Sequence, residues 1–257
     1  MANILFKKSY QHKTLKNIPF DDLWNKKGIF TTIRVLGKPG NFLFIEEHLK
    51  NFNQSLKMMS IDIQIDKYFL ETIIQKFFKE NIYYDHLLRI AANSKKISIS
   101  LRRRLHVKKN FMGILVSYQR PKWKLKHLQY NKILYFLKRI NNQSEEIILT
   151  KNNLILEGGT TNILCVKNNT VFMPKSGYYF GITLQFFIKY SKRKMIKKNI
   201  TKTQLCKCDE ILLVGSGKGV VAVGNIPQIH WYKKSNSVFN EFHRIYKSYI
   251  SRKIAIK

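Results

Sequence analysis

One run of the sequence, residues 155–166 (ILEGGTTNILCV), places chemically capable side chains between two apolar stretches. Glu157 stands where the first apolar stretch breaks, and two glycines, two threonines and Asn162 follow it. Glycines allow a sharp turn and a close approach of the backbone to a ligand. We therefore expect the Glu157 carboxylate to face a cleft. A β-hairpin with a polar tip is the simpler interpretation, because Gly-Gly between apolar runs is an ordinary turn signal.

Three further segments surround this run at distinctive positions. Lys126 precedes Glu157 by 31 residues and is predicted to enter an apolar-periodic helix that ends near residue 140. Met173 and Pro174 lead to residues 180–183 (FGIT), which open another predicted helix. Residues 215–217 (GSG) end a predicted strand. The order and spacing of these motifs are much more specific than any one motif alone.

A lysine, then E-x4-N, then P…G-I-T, then a strand with G-S-G and V-x-V resembles the fold type IV pyridoxal-phosphate enzymes. That family holds branched-chain and D-amino-acid aminotransferases and aminodeoxychorismate lyase. The resemblance implies a two-domain α+β fold like that of D-amino-acid aminotransferase. It implies a smaller N-terminal domain over residues 1–119, a larger cofactor-binding domain over residues 120–257, and the cofactor at the domain interface. It also implies a homodimer that acts on a small amino-acid-like substrate.

The resemblance assigns a role to each motif. Lys126 would form the Schiff base with pyridoxal 5'-phosphate and shuttle protons, which requires a partly desolvated amine that is neutral near pH 7. Glu157 would keep the ring nitrogen protonated and so make the ring an electron sink. A helix N-terminus and a glycine-rich turn offer backbone N–H groups to a phosphate. The residues expected to hold the phosphate are Ile182, Thr183, Gly215 and Ser216.

Three more residues are candidates for the same site. Tyr130 follows Lys126 by four residues, so it would share a helix face with the lysine and could reach the phenolic oxygen of the ring. An ordinary core position is the equal alternative for this tyrosine. Arg34 and Arg89 are possible partners for a substrate carboxylate.

The sequence departs from the family pattern at three positions. Asn51 stands where the family's H-L-x-R-L segment has an arginine for the phosphate, and Lys50 or another cation could compensate. Leu184 stands where an arginine often follows G-I-T, and Met173 stands where a threonine precedes the proline. These departures leave a degenerate, non-catalytic member of the family as an alternative.

Within the family, the short chain and the segment 125–128 (LKHL) look most like aminodeoxychorismate lyase. That enzyme eliminates pyruvate to give 4-aminobenzoate for folate synthesis. A branched-chain or D-amino-acid transaminase is the alternative. Lys126 and Glu157 serve both reactions, so they do not separate the two.

The charge balance suggests a function from a different class. The chain has 257 residues, with 47 Lys and Arg against 15 Asp and Glu, for a formal net charge of +32. Such a balance is typical of nucleic-acid-binding proteins, which interleave cations with aromatic platforms. Here the basic residues are spread along the chain, and the aromatic residues lie mostly on predicted apolar helix faces. We therefore expect no specific nucleic-acid partner, with a basic nucleic-acid-binding protein as the further alternative.

The sequence also bears on the cell compartment and on metals. No apolar run is long enough to span a bilayer, and the first residues lack the apolar region of a signal peptide. We therefore expect a cytoplasmic protein with no membrane partner. The odd number of cysteines, three, argues against a disulfide scaffold. Cys206 and Cys208 lack the second pair of ligands that would complete a metal site, so we expect no metal.

Hydrophobic periodicity predicts alternating sets of strands and helices. Residues 1–27 show little pattern, residues 155–166 are predicted as a hairpin, and residues 119–122 are the best candidate linker. The other predicted strands are residues 28–35, 41–45, 86–92, 96–101, 111–118, 146–149, 170–173, 210–214 and 220–223. The predicted helices are residues 46–59, 66–79, 126–140 and 182–192, with a final amphipathic helix from about Val238.

Overall fold

The computed structural model describes residues 4–74, 78, 79 and 81–255. The chain divides into two compact units. The first consists of Met1–Arg104, Leu125–Asn131 and Ile254–Lys257, and the second of Leu105–Lys124 and Lys132–Lys253. Among the described residues, no helix is both long and apolar enough to cross a membrane. The predicted domain boundary after residue 119 stays a prediction.

In the first unit, the described residues form a six-stranded antiparallel sheet in the order β2-β1-β6-β5-β3-β4. The elements are β1 Ile4–Gln11, β2 Asn17–Ile18, β3 Ile29–Gly37, β4 Asn41–Phe42, α1 Ile45–Met58, α2 Lys67–Ile74, β5 Tyr84–Ala92 and β6 Lys96–Arg103. Alternate residues of a strand point to opposite faces. The apolar face, with Ile33, Leu88 and Ile99, shares one buried core with Phe52 and Leu56 of α1.

The opposite face of this sheet is more polar. Thr32 of β3 lies opposite Arg89 of β5, and Arg89 lies opposite Ser100 of β6. Residues paired across antiparallel strands share a face, so these three side chains form one row. The sheet therefore presents a cationic side chain on the face away from its apolar core.

In the second unit, residues 105–124 and 132–253 include a nine-stranded mixed sheet in the order β12-β11-β10-β13-β14-β7-β8-β9, with β15 paired to β14. The strands are β7 Asn110–Ser117, β8 Glu145–Lys151, β9 Leu154–Gly158, β10 Asn162–Lys167, β11 Thr170–Pro174, β12 Met195–Lys198, β13 Glu210–Gly215, β14 Gly219–Ile226 and β15 Trp231–Tyr232. The helices are α3 Asn131–Leu137, α4 Ile182–Tyr190, α5 Lys202–Cys206 and α6 Ser237–Ala255.

Most of the predicted elements are confirmed, since their apolar periodicity matches the faces that are buried. The strand predicted over residues 41–45 is too long: Phe44 has a left-handed backbone (φ 58°) and α1 begins at Ile45. Of the helix predicted over residues 66–79, the described part forms α2 (Lys67–Ile74), and residues 78 and 79 are not helical. Residues 75–77 lie outside the described part. The prediction of little pattern before residue 28 missed β1, which is stabilised by pairing with the distant β6.

Two predictions at the expected site were wrong. Residues 155–166 do not form a hairpin, because β9 pairs with β8 whereas β10 pairs with β11 and β13. The turn after Glu157 therefore connects two strands that are not neighbours in the sheet. The helix predicted from Lys126 begins only at Asn131.

Candidate functional site

The backbone around Lys126 is held against the start of β3. Phe30 N donates a hydrogen bond to Lys126 O (2.9 Å), and Leu128 N donates to Gly28 O (2.8 Å). These bonds take up the backbone groups that a helix would use, which explains why α3 starts later. Gly28 permits the approach, because a Cβ there would lie 2.6 Å from Leu128 Cδ1. Tyr130 therefore does not share a helix face with Lys126, and the argument from helical spacing is wrong.

Lys126 nevertheless lies in a cluster of aromatic rings within the first unit. Its Nζ atom is 5.1 Å from the centre of the Phe30 ring. The Phe30 ring contacts the rings of Tyr130 (5.4 Å) and Trp24 (4.9 Å), and Trp24 stacks on Tyr130 (5.7 Å). The structure thus brings the predicted residues Lys126 and Tyr130 to the same ring. An aromatic face attracts a cation and partly removes it from water.

Arg89 is the second cation of this aromatic cluster. Its guanidinium carbon lies 3.8 Å above the Trp24 ring and 5.4 Å from the Phe30 ring. Burial lowers the pKa of Arg89 to about 10, which leaves it charged at pH 7. Its Nε and Nη2 atoms are buried and have no hydrogen-bond partner among the residues that the structure describes. Buried donors without partners are costly, so this guanidinium is suited to an anionic ligand.

Arg34, the other predicted carboxylate partner, is already paired. Its Nε donates to Asp85 Oδ1 (3.0 Å) and its Nη2 to Asp85 Oδ2 (3.3 Å). Arg104 Nε also donates to Asp85 (2.9 Å). Burial raises the pKa of the Asp85 carboxyl, but the two guanidinium groups outweigh burial and leave that pKa lowered.

His48 of α1 is a buried polar residue near Lys126. Its Nδ1 atom lies 2.8 Å from Thr31 Oγ1. Burial, together with the positive charge of Lys126, lowers the pKa of His48 to about 3. The imidazole is therefore neutral at physiological pH and adds no positive charge beside the lysine.

In the second unit, Glu157 ends the apolar part of β9 and is buried. Arg120 Nε donates to Glu157 Oε1 (2.7 Å), and Arg120 Nη2 donates to Glu157 Oε2 (2.8 Å). The backbone N–H of Tyr179 adds a third hydrogen bond (3.1 Å). A buried carboxylate needs such compensation, and the bidentate guanidinium fixes its orientation. Sequence analysis missed Arg120, which it assigned to a linker, because only the fold brings it to Glu157.

Asn162 connects the turn after Glu157 to the start of α4. Its Oδ1 accepts a hydrogen bond from Gly181 N (3.2 Å), and its Nδ2 donates to Tyr179 O (2.6 Å). Gly181 is the N-cap of α4, and the first helical residues, Ile182 and Thr183, are buried. The unused N–H groups of a helix N-terminus favour an anion. The predicted phosphate residues of α4 are thus linked to the Glu157 turn by one asparagine.

The second predicted anion loop is a tight turn between β13 and β14. Gly215 pairs with Gly219, and Lys218 N donates to Gly215 O (3.1 Å). A Cβ on Gly215 would lie 3.1 Å from Thr160 O, so this turn packs against the turn that follows Glu157. Glu157, the start of α4 and the Gly215 turn therefore lie close together within the second unit.

A family model for amino-transferase class IV matches residues 28–226 of the sequence. The chain belongs to the class IV aminotransferase family. Pyridoxal 5'-phosphate is the cofactor of this family and is bound in similar aminotransferase structures, so the predicted family, enzyme class and cofactor are confirmed. No curated protein sequence matches the chain.

Solved structures confirm the fold of this class IV aminotransferase. The branched-chain aminotransferase from Thermoproteus uzoniensis, solved with norvaline, has a TM-score of 0.76 and 16% identity over 94% of this chain and 93% of its own. The branched-chain amino acid aminotransferase of Escherichia coli has a TM-score of 0.75 and 16% identity over 95% and 93%. A proposed 4-amino-4-deoxychorismate lyase from Legionella pneumophila has a TM-score of 0.72 and 19% identity over 86% and 90%.

Each unit of this aminotransferase, taken by itself, carries groups of the kind that the cofactor needs. The aldehyde of pyridoxal 5'-phosphate needs an amine, and its ring nitrogen needs an anionic acceptor. Its phosphate needs a set of N–H donors. Lys126 lies against an aromatic ring, and Glu157 carries a negative charge that Arg120 compensates. A carboxylate offers about four lone-pair positions, and the two Arg120 bonds and the Tyr179 N–H bond take three of those of Glu157.

Among the described residues, no three His, Cys, Asp or Glu side chains are grouped to hold a metal ion. Cys165 and Cys208 are buried free thiols, and Cys206 is an exposed one. Besides Arg120, sequence analysis missed Trp24, Glu146 and Lys218. The acid that opens the apolar strand β8, Glu146, and the lysine within the G-S-G-K-G turn, Lys218, were the available signals for the last two.

Proposed function

We propose that this class IV aminotransferase is a lyase that converts aminodeoxychorismate to 4-aminobenzoate and pyruvate. The observation that supports this substrate is the cluster of Trp24, Phe30 and Arg89. It combines flat aromatic faces with a buried guanidinium that has two unpartnered N–H donors among the described residues. A conjugated six-membered ring that bears a carboxylate matches both features.

In this proposal the amine of Lys126 would hold the cofactor through its aldehyde, and with substrate bound this amine would be free to move a proton. The bound cofactor supplies an electron sink for the substrate carbon that carries the amine. The freed amine of Lys126 then takes the proton from that carbon. The electron pair of the broken C–H bond forms a ring double bond as the neighbouring C–O bond breaks, so the six-membered ring becomes aromatic. The departing enolpyruvate takes the proton back from Lys126 at its methylene carbon and becomes pyruvate.

Glu157 accepts a hydrogen bond from the protonated ring nitrogen in the proposed site. Arg120 supports this task, since its bidentate pair holds the carboxylate in one orientation and compensates its buried charge. Ile182, Thr183, Gly215 and Ser216 hold the phosphate. The helix N-terminus of α4 and the Gly215 turn supply the backbone donors for this anion.

Arg89 receives a substrate carboxylate, and Tyr130 hydrogen-bonds the phenolic oxygen of the cofactor. Arg34 is the weaker candidate for binding the substrate carboxylate, because two of its nitrogens already donate hydrogen bonds to Asp85. The pairing of Arg34 leaves Arg89 as the residue to test first.

A transaminase is the second candidate function. The similarity to two branched-chain aminotransferases, which this chain matches over 94–95% of its length, favours this alternative. In a transaminase Lys126 would return the proton to the cofactor carbon, and a keto acid would leave.

The experiment that separates the two is product analysis with purified, cofactor-loaded protein. One sample receives aminodeoxychorismate, and the other receives leucine with 2-oxoglutarate. Pyruvate together with 4-aminobenzoate from the first sample supports the lyase. Glutamate from the second sample, with no product from the first, overturns the lyase in favour of the transaminase. No product from either, and no near-visible absorption band that borohydride removes, identifies a non-catalytic member.

We further propose that the protein is a cytoplasmic homodimer without a specific nucleic-acid partner. Light scattering that gives a fully active monomer would contradict the dimer. Filter binding of single-stranded RNA at two salt concentrations tests the nucleic-acid alternative, because binding by spread charge alone is weak and falls steeply with salt.

A further inference from the structure

Glu146 and Lys218 form a buried ion pair in the second unit. Glu146, at the start of β8, is fully buried, and the Lys218 side chain is 8% exposed. Lys218 Nζ donates to Glu146 Oε2 (2.5 Å) and lies 4.9 Å from the centre of the Phe111 ring. Thr160 Oγ1 donates to the same carboxylate oxygen (2.7 Å), and Thr161 Oγ1 lies 3.3 Å from it. One carboxylate oxygen thus gathers three side chains from two different turns.

The other oxygen of Glu146, Oε1, is buried and has no hydrogen-bond partner among the described residues. The charge of Glu146 is therefore compensated on one side only, by Lys218 and the two threonines. Removing one partner of a buried pair leaves an uncompensated charge, which is far more costly than replacing both partners. The Glu146–Lys218 pair therefore favours one arrangement of the chain segments in which these two residues and the two threonines lie.

Those segments are the two turns that the proposed cofactor site uses. Thr160 and Thr161 lie in the turn that follows Glu157, and Lys218 lies in the turn that begins at Gly215. The two turns also touch directly, since a Cβ on Gly215 would be 3.1 Å from Thr160 O. Glu146 contacts the turn that follows Glu157, since a Cβ on Gly159 of that turn would be 3.2 Å from Glu146 Oε1.

We propose that Lys218 and Glu146 are positioning residues that hold the 158–161 turn and the 215–219 turn in one arrangement, and so set the affinity for pyridoxal 5'-phosphate. This inference rests on the proposed function for its effect on the cofactor. The mechanical link between the turns is independent of that function. Lys218 acts through the backbone donors of its turn, so it needs no contact with the phosphate.

The test uses the full chain in four forms besides the parent. Lys218→Met removes the cation. The double variant Glu146→Gln/Lys218→Met removes both charges and keeps an amide for Thr160. Glu146→Gln removes the anion alone. Lys167→Met is the matched control, because it deletes a lysine whose pair with Asp209 is partly exposed in the same unit.

The first measurement is amide hydrogen exchange of the cofactor-free protein. We expect Lys218→Met to raise exchange by about tenfold at both turns, whereas Lys167→Met leaves both unchanged. The second measurement is the dissociation constant of pyridoxal 5'-phosphate, determined at a temperature well below the melting temperature of every variant. We expect it to rise by about 10–100-fold in Lys218→Met, by analogy with the loss of a residue that orients the ligands of a bound metal.

The double variant separates positioning from stability. Without an unpaired buried charge it regains most of the lost melting temperature, but no bond between positions 146 and 218 remains. We therefore expect its cofactor affinity to stay about tenfold or more below that of the parent. Recovery of affinity along with melting temperature overturns the proposal, as does increased exchange at only one turn. If Lys218→Met does not fold, the double variant gives the same decision.

Failure of the proposed function gives a different result. If the parent protein takes up no pyridoxal 5'-phosphate, the proposed function is wrong. The proposed effect of Lys218 and Glu146 on cofactor affinity is then wrong as well. The exchange measurement on cofactor-free protein still decides whether the pair links the two turns.

Discussion

Arg120→Met is the substitution whose effect follows most directly from the structure. It removes the guanidinium from a pair in which the Arg120 and Glu157 side chains are 4% and 5% exposed. Solvent cannot screen the Glu157 charge that remains. Breaking a buried pair by removing one partner costs about 3–5 kcal/mol. We expect the free energy of unfolding to fall by about that amount, because the remaining Tyr179 N–H bond does not neutralise a charge.

Two further variants bring out the cause of this loss. Lys167→Met breaks a lysine–carboxylate pair, with Asp209, whose side chains are 42% and 23% exposed. That loss should be about 0–1 kcal/mol, as for a partly solvated pair. Arg120→Met/Glu157→Gln leaves no unpaired buried charge. It should therefore be more stable than Arg120→Met alone, which makes the two substitutions strongly non-additive.

The assay is urea unfolding of cofactor-free protein, followed by circular dichroism and analysed by linear extrapolation. Cofactor must be absent, since a ligand that binds the folded state raises the apparent stability. The role of burial is refuted if Arg120→Met and Lys167→Met cost the same within about 1 kcal/mol. It is also refuted if the double variant loses the sum of the two single effects.

Three other predictions concern the site. Lys126→Ala should abolish the borohydride-sensitive absorption band while Lys124→Ala keeps it; fixation of cofactor by the Lys126 variant would identify another lysine. Glu157→Gln should bind the cofactor but reduce kcat strongly, because a neutral amide cannot hold the ring proton, and a rate near that of the parent would remove Glu157 from the site. The pKa of His48 is lowered to about 3 in the folded chain, so between pH 3 and about pH 6.5 the unfolded chain binds a proton that the folded chain does not. The contribution of His48 to the free energy of unfolding is therefore complete above about pH 6.5 and is lost as pH falls towards 3. His48→Gln should flatten the dependence of unfolding free energy on pH in that window, unlike His230→Gln at an exposed position, and an unchanged slope would contradict the burial argument.

The sequence by itself determined the family and most of the elements. Strand alternation and the apolar stripe of α1 are local patterns, and burial of the apolar face is the largest favourable term in folding. The presence of a turn after Glu157, although not its hairpin pairing, was also predictable, as were the G-I-T start of α4 and the Gly215 turn. Their backbone geometry depends on glycines and on neighbours within a few residues, which the sequence displays directly.

Tertiary structure alone decided how the charged residues pair. Arg120 looked like a linker residue and became the buried partner of Glu157, 37 residues away. Lys218 looked like one of many surface lysines and reached Glu146, 72 residues away. A sequence with 47 basic residues gives no local sign of which ones are buried, because the cost of burying a charge depends on a partner that only the fold supplies.

The backbone of Lys126 shows the same limit for secondary structure. Its segment has the apolar periodicity of a helix, yet its amide and carbonyl groups pair with Gly28 and Phe30 of the first unit. Helical propensity is a weak preference of a few tenths of a kcal/mol per residue. Hydrogen bonds to a strand about 100 residues earlier in the chain outweigh it, and no local pattern records them.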